Sequence, residues 1–489
     1  MPPPPFDRKI STQVGPRQTT GPSANLMPGP PPLFFPDKVV VTFRPGPGLL
    51  PPAGAGAQKF FQILLQLHQS YRLLSVQPMI RAGFAVLKNL PQWLNPLLEV
   101  GRAISFRRDG GGVTPLPAPA AFSPERLRTV TESLLLTFQD ASEANLTAII
   151  NSLLTLNELV ESVERVPFRY IQIPEAYDQK QPWPPDPEPA PGPSPIGPDG
   201  PGGLSGMILM GVSTVDPDVY WGMSMMGWDV GPTSGPVTVA MLDTGVDTNH
   251  PLLRDGQVMT GFTDANRDDQ GHGTHVCGLL VGKADGTRGF PGGLLPARSG
   301  VISYKVVADE IWNGLYYPVE PTWVASALDD IVETNKQGTR ISAVNLSIGG
   351  AAPLSENEKK AYGRAKSVCP LVASAGNHAS KILYPAASDF ALAVAAGQKT
   401  ATGRLIVWKG SSPGNKVLQK ADSIDYLAPG YNIYSTHLNG TMKWMEGTSM
   451  ATPYITAMLA LKRVPARFLM PKPDRKEEYR GQGLATFSK

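Results

Sequence analysis

The chain has 489 residues, enough for more than one domain at roughly 100–200 residues each. Lys and Arg number 44 against 41 Asp and Glu, a net charge of +3 with no long run of either sign, which argues against nucleic acid or a membrane surface as a partner recognised through charge. Proline is the outlier: 51 of them, about a tenth of the chain and twice the usual share of about 5 %, mark linkers rather than packed structure.

The first residues, Met1-Pro2-Pro3-Pro4-Pro5-Phe6-Asp7-Arg8-Lys9, lack the apolar core of a secretory signal, and no stretch reaches the ~18 apolar residues of a membrane span. The expectation is a soluble chain that starts in the cytoplasm, with leaderless export as its route if it is secreted. Cys277 and Cys369 both lie in apolar runs, so two buried thiols are expected rather than a disulfide framework, in keeping with a reducing compartment.

Residues 1–36 are rich in Pro, Gly and Thr without periodicity and predict a flexible leader. An α+β unit follows over 37–173. Val39–Phe43 is strand-like, Gln58–Tyr71 has helical spacing, and Gly83–Leu87 predicts another strand. Beyond a Pro/Gly-rich interruption around 108–123 come a strand at Leu134–Phe138 and a helix with Leu146, Ile149, Ile150, Leu153 and Leu154 on one face. Val163–Ile173, alternating at Val166, Phe168 and Tyr170, predicts the closing strand. Residues 174–205 hold Pro-Trp-Pro-Pro and Gly-Pro-Asp-Gly-Pro-Gly-Gly and predict a partly extended linker.

From 206 to 489 the pattern is α/β. Continuous apolar strands are expected at Val237–Leu242, Gly300–Val307, Ile341–Ile348, Cys369–Ser374 and Phe390–Ala396, with helices at Trp323–Lys336 and Glu356–Lys366 between them. Strands without alternation, separated by helices, imply a parallel sheet covered on both faces, with sites at the carboxyl ends of its strands. The first strand ends in Asp243-Thr244-Gly245, a carboxylate at that edge. Gln270-Gly271-His272-Gly273-Thr274-His275 places a histidine between glycines, which allow close backbone approach, before an apolar helix. Ala373-Ser374-Ala375-Gly376-Asn377 ends another strand with a neutral amide. Glu446-Gly447-Thr448-Ser449-Met450 leads into an apolar helix from Met450 to Leu461, with Pro453 expected in its first turn. Ser449 then stands at a helix start, where free N–H groups and the helix dipole favour an oxyanion.

Asp243, His272, Asn377 and Ser449, in their four blocks and in this order, make the chain resemble the subtilases, the subtilisin-like serine peptidases. His250-Pro251, Asn345–Gly350, Tyr384-Pro385-Ala386 and Ala428-Pro429-Gly430 add to that resemblance. It implies a subtilisin-like parallel sheet flanked by helices, preceded by a small α+β domain, and a serine endopeptidase acting on protein or peptide substrates. Ser449 would be the nucleophile, His272 its base, Asp243 the orienting carboxylate and Asn377 an oxyanion donor. The resemblance also implies that substrate backbone lies along Leu346, Ser347, Ile348, Gly349 and Gly350. Gly349, Gly350 and Gly376 would line a wide, largely apolar pocket, with a cis bond before Pro385. The chemistry requires no cofactor. Structural calcium, which many subtilases bind, could involve Asp264, Asp268 and Asp269, although a solvated acidic loop fits that spacing as well. No zinc pattern surrounds His275, which reads as a packed histidine, and His250 and His378 read as structural neighbours of the site blocks. Residues 37–173 admit two readings, a propeptide-like domain that caps the site or an unrelated binding module. Tyr479–Leu484 is similar to the family's closing strand. The rival reading of the whole chain is an idle subtilase fold used for regulated binding, held shut by its own N-terminal unit or by a separate inhibitory protein.

Overall fold

The structure is a computed structural model that describes residues 31–44, 55–78, 133–140, 142–172, 221–228, 235–253, 258–261, 265–307, 316–379, 381–400, 403, 405–412, 424–462, 466–467 and 485–486. The strand expected at Gly83–Leu87, the linker 174–205 and the closing strand expected at Tyr479–Leu484 lie outside those residues. The described residues from Pro32 onward fall in one compact unit. No described helix is long and apolar enough to cross a membrane.

The chain opens with β1 (Phe34–Phe43), α1 (Ala55–Tyr71), β2 (Leu73–Pro78), β3 (Ser133–Phe138), α2 (Glu143–Leu154) and β4 (Val160–Pro167). The strands form an antiparallel sheet in the order β2-β3-β1-β4. β1 starts at Phe34, inside the stretch 1–36 expected to be a leader. The reason is aromatic: Phe34 pairs with Pro167, and Phe35 is buried with its ring centroid 4.7 Å from that of Phe168. The run of valines in β1 reads as unbroken because both faces are buried. Val39, Val41 and Phe43 pack on one side with Leu64, Leu67, Leu146 and Ile149 of the two helices. Phe35 and Val40 point to the other, into a cluster with Phe168, Tyr170, Tyr316 and Leu383. Alternation of side chains across the strand therefore feeds two cores. In α2, Leu146, Ile149 and Leu153 are buried as expected, but Leu154 is 43 % exposed, one residue too far round the helix to reach the sheet.

The stretch expected as a single last strand, Val163–Ile173, is two. β4 ends at Pro167, and β5 (Tyr170–Gln172) leaves this sheet to pair elsewhere.

A short α3 (Trp221–Met225) is followed by β6 (Thr238–Asp243), β7 (Val258–Thr260), α4 (His272–Val281), β8 (Gly300–Lys305), β9 (Tyr316–Pro318), α5 (Pro321–Lys336), β10 (Ile341–Leu346), α6 (Glu356–Lys366), β11 (Leu371–Ser374), β12 (Leu392–Lys399), β13 (Leu405–Val407) and β14 (Tyr426–Pro429), whose strands other than β9 build the second sheet. Its order is β13-β12-β11-β10-β6-β8-β7, with β14 on β12, and only the β12–β13 pair is antiparallel. Chain order reverses at β6, whose neighbours are β8 on one side and β10 on the other, so the carboxyl end of β6 opens at a switch point where ligand sites form. The hairpin β15 (Ile433–Thr436) and β16 (Met442–Met445) leads into α7 (Thr448–Ala460), buried almost throughout, and the pair β17 (Ala466–Arg467) and β18 (Ala485–Thr486) follows. Pro453 is not in the first turn of α7 but at its sixth residue, inside the helix.

β5 is where the two parts of the molecule join. It pairs antiparallel with β9, Tyr170 with Pro318, Ile171 with Tyr317 and Gln172 with Tyr316. On its other edge Tyr170 exchanges both backbone hydrogen bonds with Gly349, at 2.8 and 3.0 Å.

Candidate active site

Asp243 ends β6 and His272 begins α4. The imidazole Nδ1 lies 2.7 Å from Asp243 Oδ1, with both side chains fully buried. A carboxylate can only accept there, so Nδ1 carries the proton and Nε2 keeps its lone pair. Nε2 has no hydrogen-bond partner among the described residues. Asp243 Oδ1 also accepts from the Thr244 N–H at 2.8 Å, which fixes the carboxylate plane.

The loop that delivers His272 is built around Asp268. Its Oδ1 accepts from Thr244 Oγ1, Gln270 N and Gly271 N, and its Oδ2 from Thr274 N and Thr274 Oγ1, all at 2.7–3.0 Å. Burial still pushes its carboxyl above the usual range, with those donors opposing. Gly271 has φ 96°, open to glycine and costly to other residues, which lets the chain turn into α4. Sequence reasoning missed Asp268 as the organiser of this loop; an acid just ahead of Gly-His-Gly at a helix start is the capping signal that would have found it. Asp269 is paired to Arg267 and Lys305 at 2.7 and 3.1 Å, and Asp264 lies outside the described residues.

Ser449 is the second residue of α7, after Gly447 at the cap with φ 141° and ψ 165°. A second helical residue has no intrahelical acceptor for its N–H, which is left free to donate. The missing N–H of Pro453 leaves the Ser449 carbonyl without its usual helical donor, and Ser347 Oγ supplies one at 3.3 Å. Asn377 follows β11. Its Oδ1 accepts from both Thr448 N and Thr448 Oγ1 at 2.9 Å, which settles the amide orientation and leaves Nδ2 to donate beside Gly447. α4 packs against α7, so His272 and Ser449 stand at the starts of two helices in contact, with Asp243 at the end of β6 and Asn377 just beyond β11.

The expected substrate track divides. Leu346 is internal to the sheet, paired with Leu242 and Ala373, and Ile348 is buried in the core. The Ser347 hydroxyl accepts from Asn345 and donates to the Ser449 carbonyl. Gly349 and Gly350 face the N-terminal segment: Gly349 pairs with Tyr170, and a Cβ on Gly350 would meet the Phe168 carbonyl and, at 3.0 Å, Arg169 Nη1. Gly376 has φ 111° and donates to Thr448 Oγ1 at 3.1 Å. The wide pocket expected between these glycines is narrowed by Leu383, whose side chain stands within 2.9 Å of where a Cβ on Gly349 or on Gly376 would be. The Tyr384–Pro385 bond is cis.

Among the other histidines, Tyr170 Oη is hydrogen-bonded to His378 Nε2 at 2.7 Å, His250 Nε2 donates to the Thr441 carbonyl, and His68 Nδ1 donates to Leu73 O. His275 is fully buried with Nε2 at 3.1 Å from two carbonyls, the packed residue expected. His437 lies against Gly271, and its Nε2 has no partner among the described residues.

The model of the subtilase family matches residues 234–468. The major intracellular serine protease of Bacillus subtilis (strain 168) is 32 % identical over 249 residues, covering 48 % of this chain and 70 % of that one. Thermitase of Thermoactinomyces vulgaris is 30 % identical over 242 residues, covering 48 % and 77 %. A solved structure titled S41 psychrophilic protease is 26 % identical, covers 54 % of this chain and 97 % of its own, and superposes with a TM-score of 0.46.

Proposed function

The chain belongs to the subtilase family and is a serine endopeptidase with protein or peptide substrates; on that premise we propose that Asp243, His272 and Ser449 are its triad and that residues 34–172 restrain it. The observation that carries the triad is the buried 2.7 Å contact of His272 Nδ1 with Asp243, which leaves Nε2 as a base. Ser449 Oγ is too weak an acid to attack an amide alone. His272 Nε2 takes its proton as Oγ bonds to the carbonyl carbon, and returns that proton to the leaving amine. Asp243 holds the ring and stabilises its charged form. The Ser449 N–H and Asn377 Nδ2 receive the oxyanion, one from a helix N-terminus and one from an amide whose orientation Thr448 fixes. Water repeats the sequence on the acyl-enzyme, with His272 as base again.

Restraint follows from the β5 ladder. Tyr170 and Gly349 form an isolated antiparallel bridge; extending its register by two residues sets Gln172 opposite Ser347, the residue hydrogen-bonded to the Ser449 carbonyl. On that register Gln172 is the residue before the cut. A chain lying in this track between β9 and Gly349 blocks other peptides by occupying their backbone hydrogen bonds.

Hydrolysis of an unfolded protein tests the assignment. Ser449→Ala lowers turnover on the order of 10⁶-fold and Asn377→Ala about 10²–10³-fold, magnitudes carried over from subtilisin, a family relative. A Ser449→Ala chain as active as the parent removes the triad.

A further inference from the structure

Arg169 stands at the point where β5 enters the peptidase part, and its side chain is 3 % exposed. Its guanidinium makes four hydrogen bonds. Nε and Nη2 each lie 3.0 Å from an oxygen of Glu358, Nη2 also donates to the Pro353 carbonyl at 3.0 Å, and Nη1 donates to the Ala352 carbonyl at 2.6 Å. Every one of these acceptors belongs to the peptidase part. Glu358 is also held without Arg169: it closes a capping box at the start of α6, where Ser355 N donates to its Oε2 at 2.9 Å and its own N–H donates to Ser355 Oγ at 3.2 Å. A fixed carboxylate and two carbonyls, all acceptors and all aimed at one place, form a pocket that a guanidinium fills and a neutral side chain leaves unsatisfied.

The backbone shows which track feeds this pocket. The Arg169 carbonyl accepts from Val319 N at 2.8 Å, and the next residue makes the Gly349 pair, so the side chain is delivered by the segment that lies between β9 and Gly349. Any extended peptide in that track presents its own side chain at the same spot. We propose that Glu358, with the Ala352 and Pro353 carbonyls, is an arginine-selective subsite of the substrate cleft that reads the fourth residue before the cut. This rests on the endopeptidase reading and on the register that sets Gln172 before the cut. Arg169 is then the first arginine the subsite binds, and substrate arginines follow once the N-terminal segment leaves.

The alternative is a pocket that only anchors the N-terminal unit. Substrate turnover separates the two. The full-length chain and its Glu358→Gln form are incubated until their intact masses are constant, then given peptides identical except for Arg, Lys or Ala three residues before a Gln, the spacing of Arg169 and Gln172. Gln keeps the capping box and removes the charge. The parent is expected to prefer the Arg peptide over the Ala peptide by about 10–100-fold in kcat/KM, the range for charge-assisted hydrogen bonds to a buried group, with Lys between them. In Glu358→Gln that preference falls to about threefold or less while the Ala peptide is still cut. Equal use of Arg and Ala peptides by the parent, or a preference that survives Glu358→Gln, overturns the subsite and leaves the endopeptidase standing. If the parent cuts none of the peptides and no unfolded protein, the endopeptidase reading falls and takes the subsite with it.

Discussion

His275, three residues after His272 on α4, shows how differently two histidines of one helix are used. Its Nε2 donates to the Ile433 and Lys443 carbonyls, so it is a neutral strut between α4 and the β15–β16 hairpin. Burial, with His272 and His437 nearby, pushes its pKa from 6.5 down to about 3, against the pull of those carbonyls. The unfolded chain takes up a proton near 6.5 and the folded one does not until about 3. The stabilising difference is therefore complete above pH 6.5 and is lost as pH falls toward 3. At about 1.4 kcal/mol per unit this amounts to something on the order of 5 kcal/mol. Urea unfolding of the Ser449→Ala chain, which cannot digest itself, should show that loss, and adding His275→Asn should make the slope with pH shallower. A slope unchanged by His275→Asn would place the acid sensitivity elsewhere. Cys277, on the same helix, is a free buried thiol whose pKa burial raises, as is Cys369, which is pushed up to about 12. At this scale the sequence named the Asp243–His272 pair because each sits in a block of distinctive neighbours. Asp268 carries only the signal of an acid ahead of a helix start, and Leu383 carries none, so its role comes from what folds beside it.

Among the elements, α7 carries the clearest internal test. Pro453 deprives the Ser449 carbonyl of its helical donor, and Ser347 replaces it from the strand side, which ties the start of α7 to the end of β10. In the Ser449→Ala chain, Ser347→Ala should cost about 1 kcal/mol of stability. With Pro453→Ala in place an N–H is restored to that carbonyl, and the same substitution should cost about 0.5–1 kcal/mol less. Equal losses in the two backgrounds would mean that Ser347 does not substitute for the missing donor.

Regular elements were well marked in the chain. The β6, β10 and β11 strands and α6 lie within a few residues of their expected ends because each is a continuous apolar run or carries its own cap. The apolar run beginning at Met450 puts Pro453 in a first turn, whereas α7 begins at Thr448. The pattern likewise merges β4 and β5 into one strand. Period-2 alternation runs through Val166, Phe168 and Tyr170 unbroken, yet the hydrogen-bonding partner changes after Pro167. Alternation reports which face a side chain takes and says nothing of the strand beside it. The same limit hid the subsite. Ser355 and Glu358 are spaced as a capping box, which announces a helix start but not an arginine partner 189 positions away.

For the molecule as a whole, the N-terminal sheet is attached by specific polar contacts as well as by its apolar face. Lys38 pairs with Glu320 at 3.1 Å, Asn357 donates to Thr42 and accepts from Ser133, Glu164 accepts from the first N–H of α6, and Arg169 reaches Glu358. α6 thus receives the sheet at its N-terminus, and β5 carries the chain from that contact into the cleft. On the proposed restraint, this domain positions its own last strand for cutting. The measurement that bears on this most directly is the intact mass of the full-length chain over time beside its Ser449→Ala variant. The account predicts that the parent separates after Gln172 into residues 1–172 and 173–489 while the variant stays whole. A parent that stays whole while digesting an unfolded protein, or a cut that falls well away from Gln172, would contradict it.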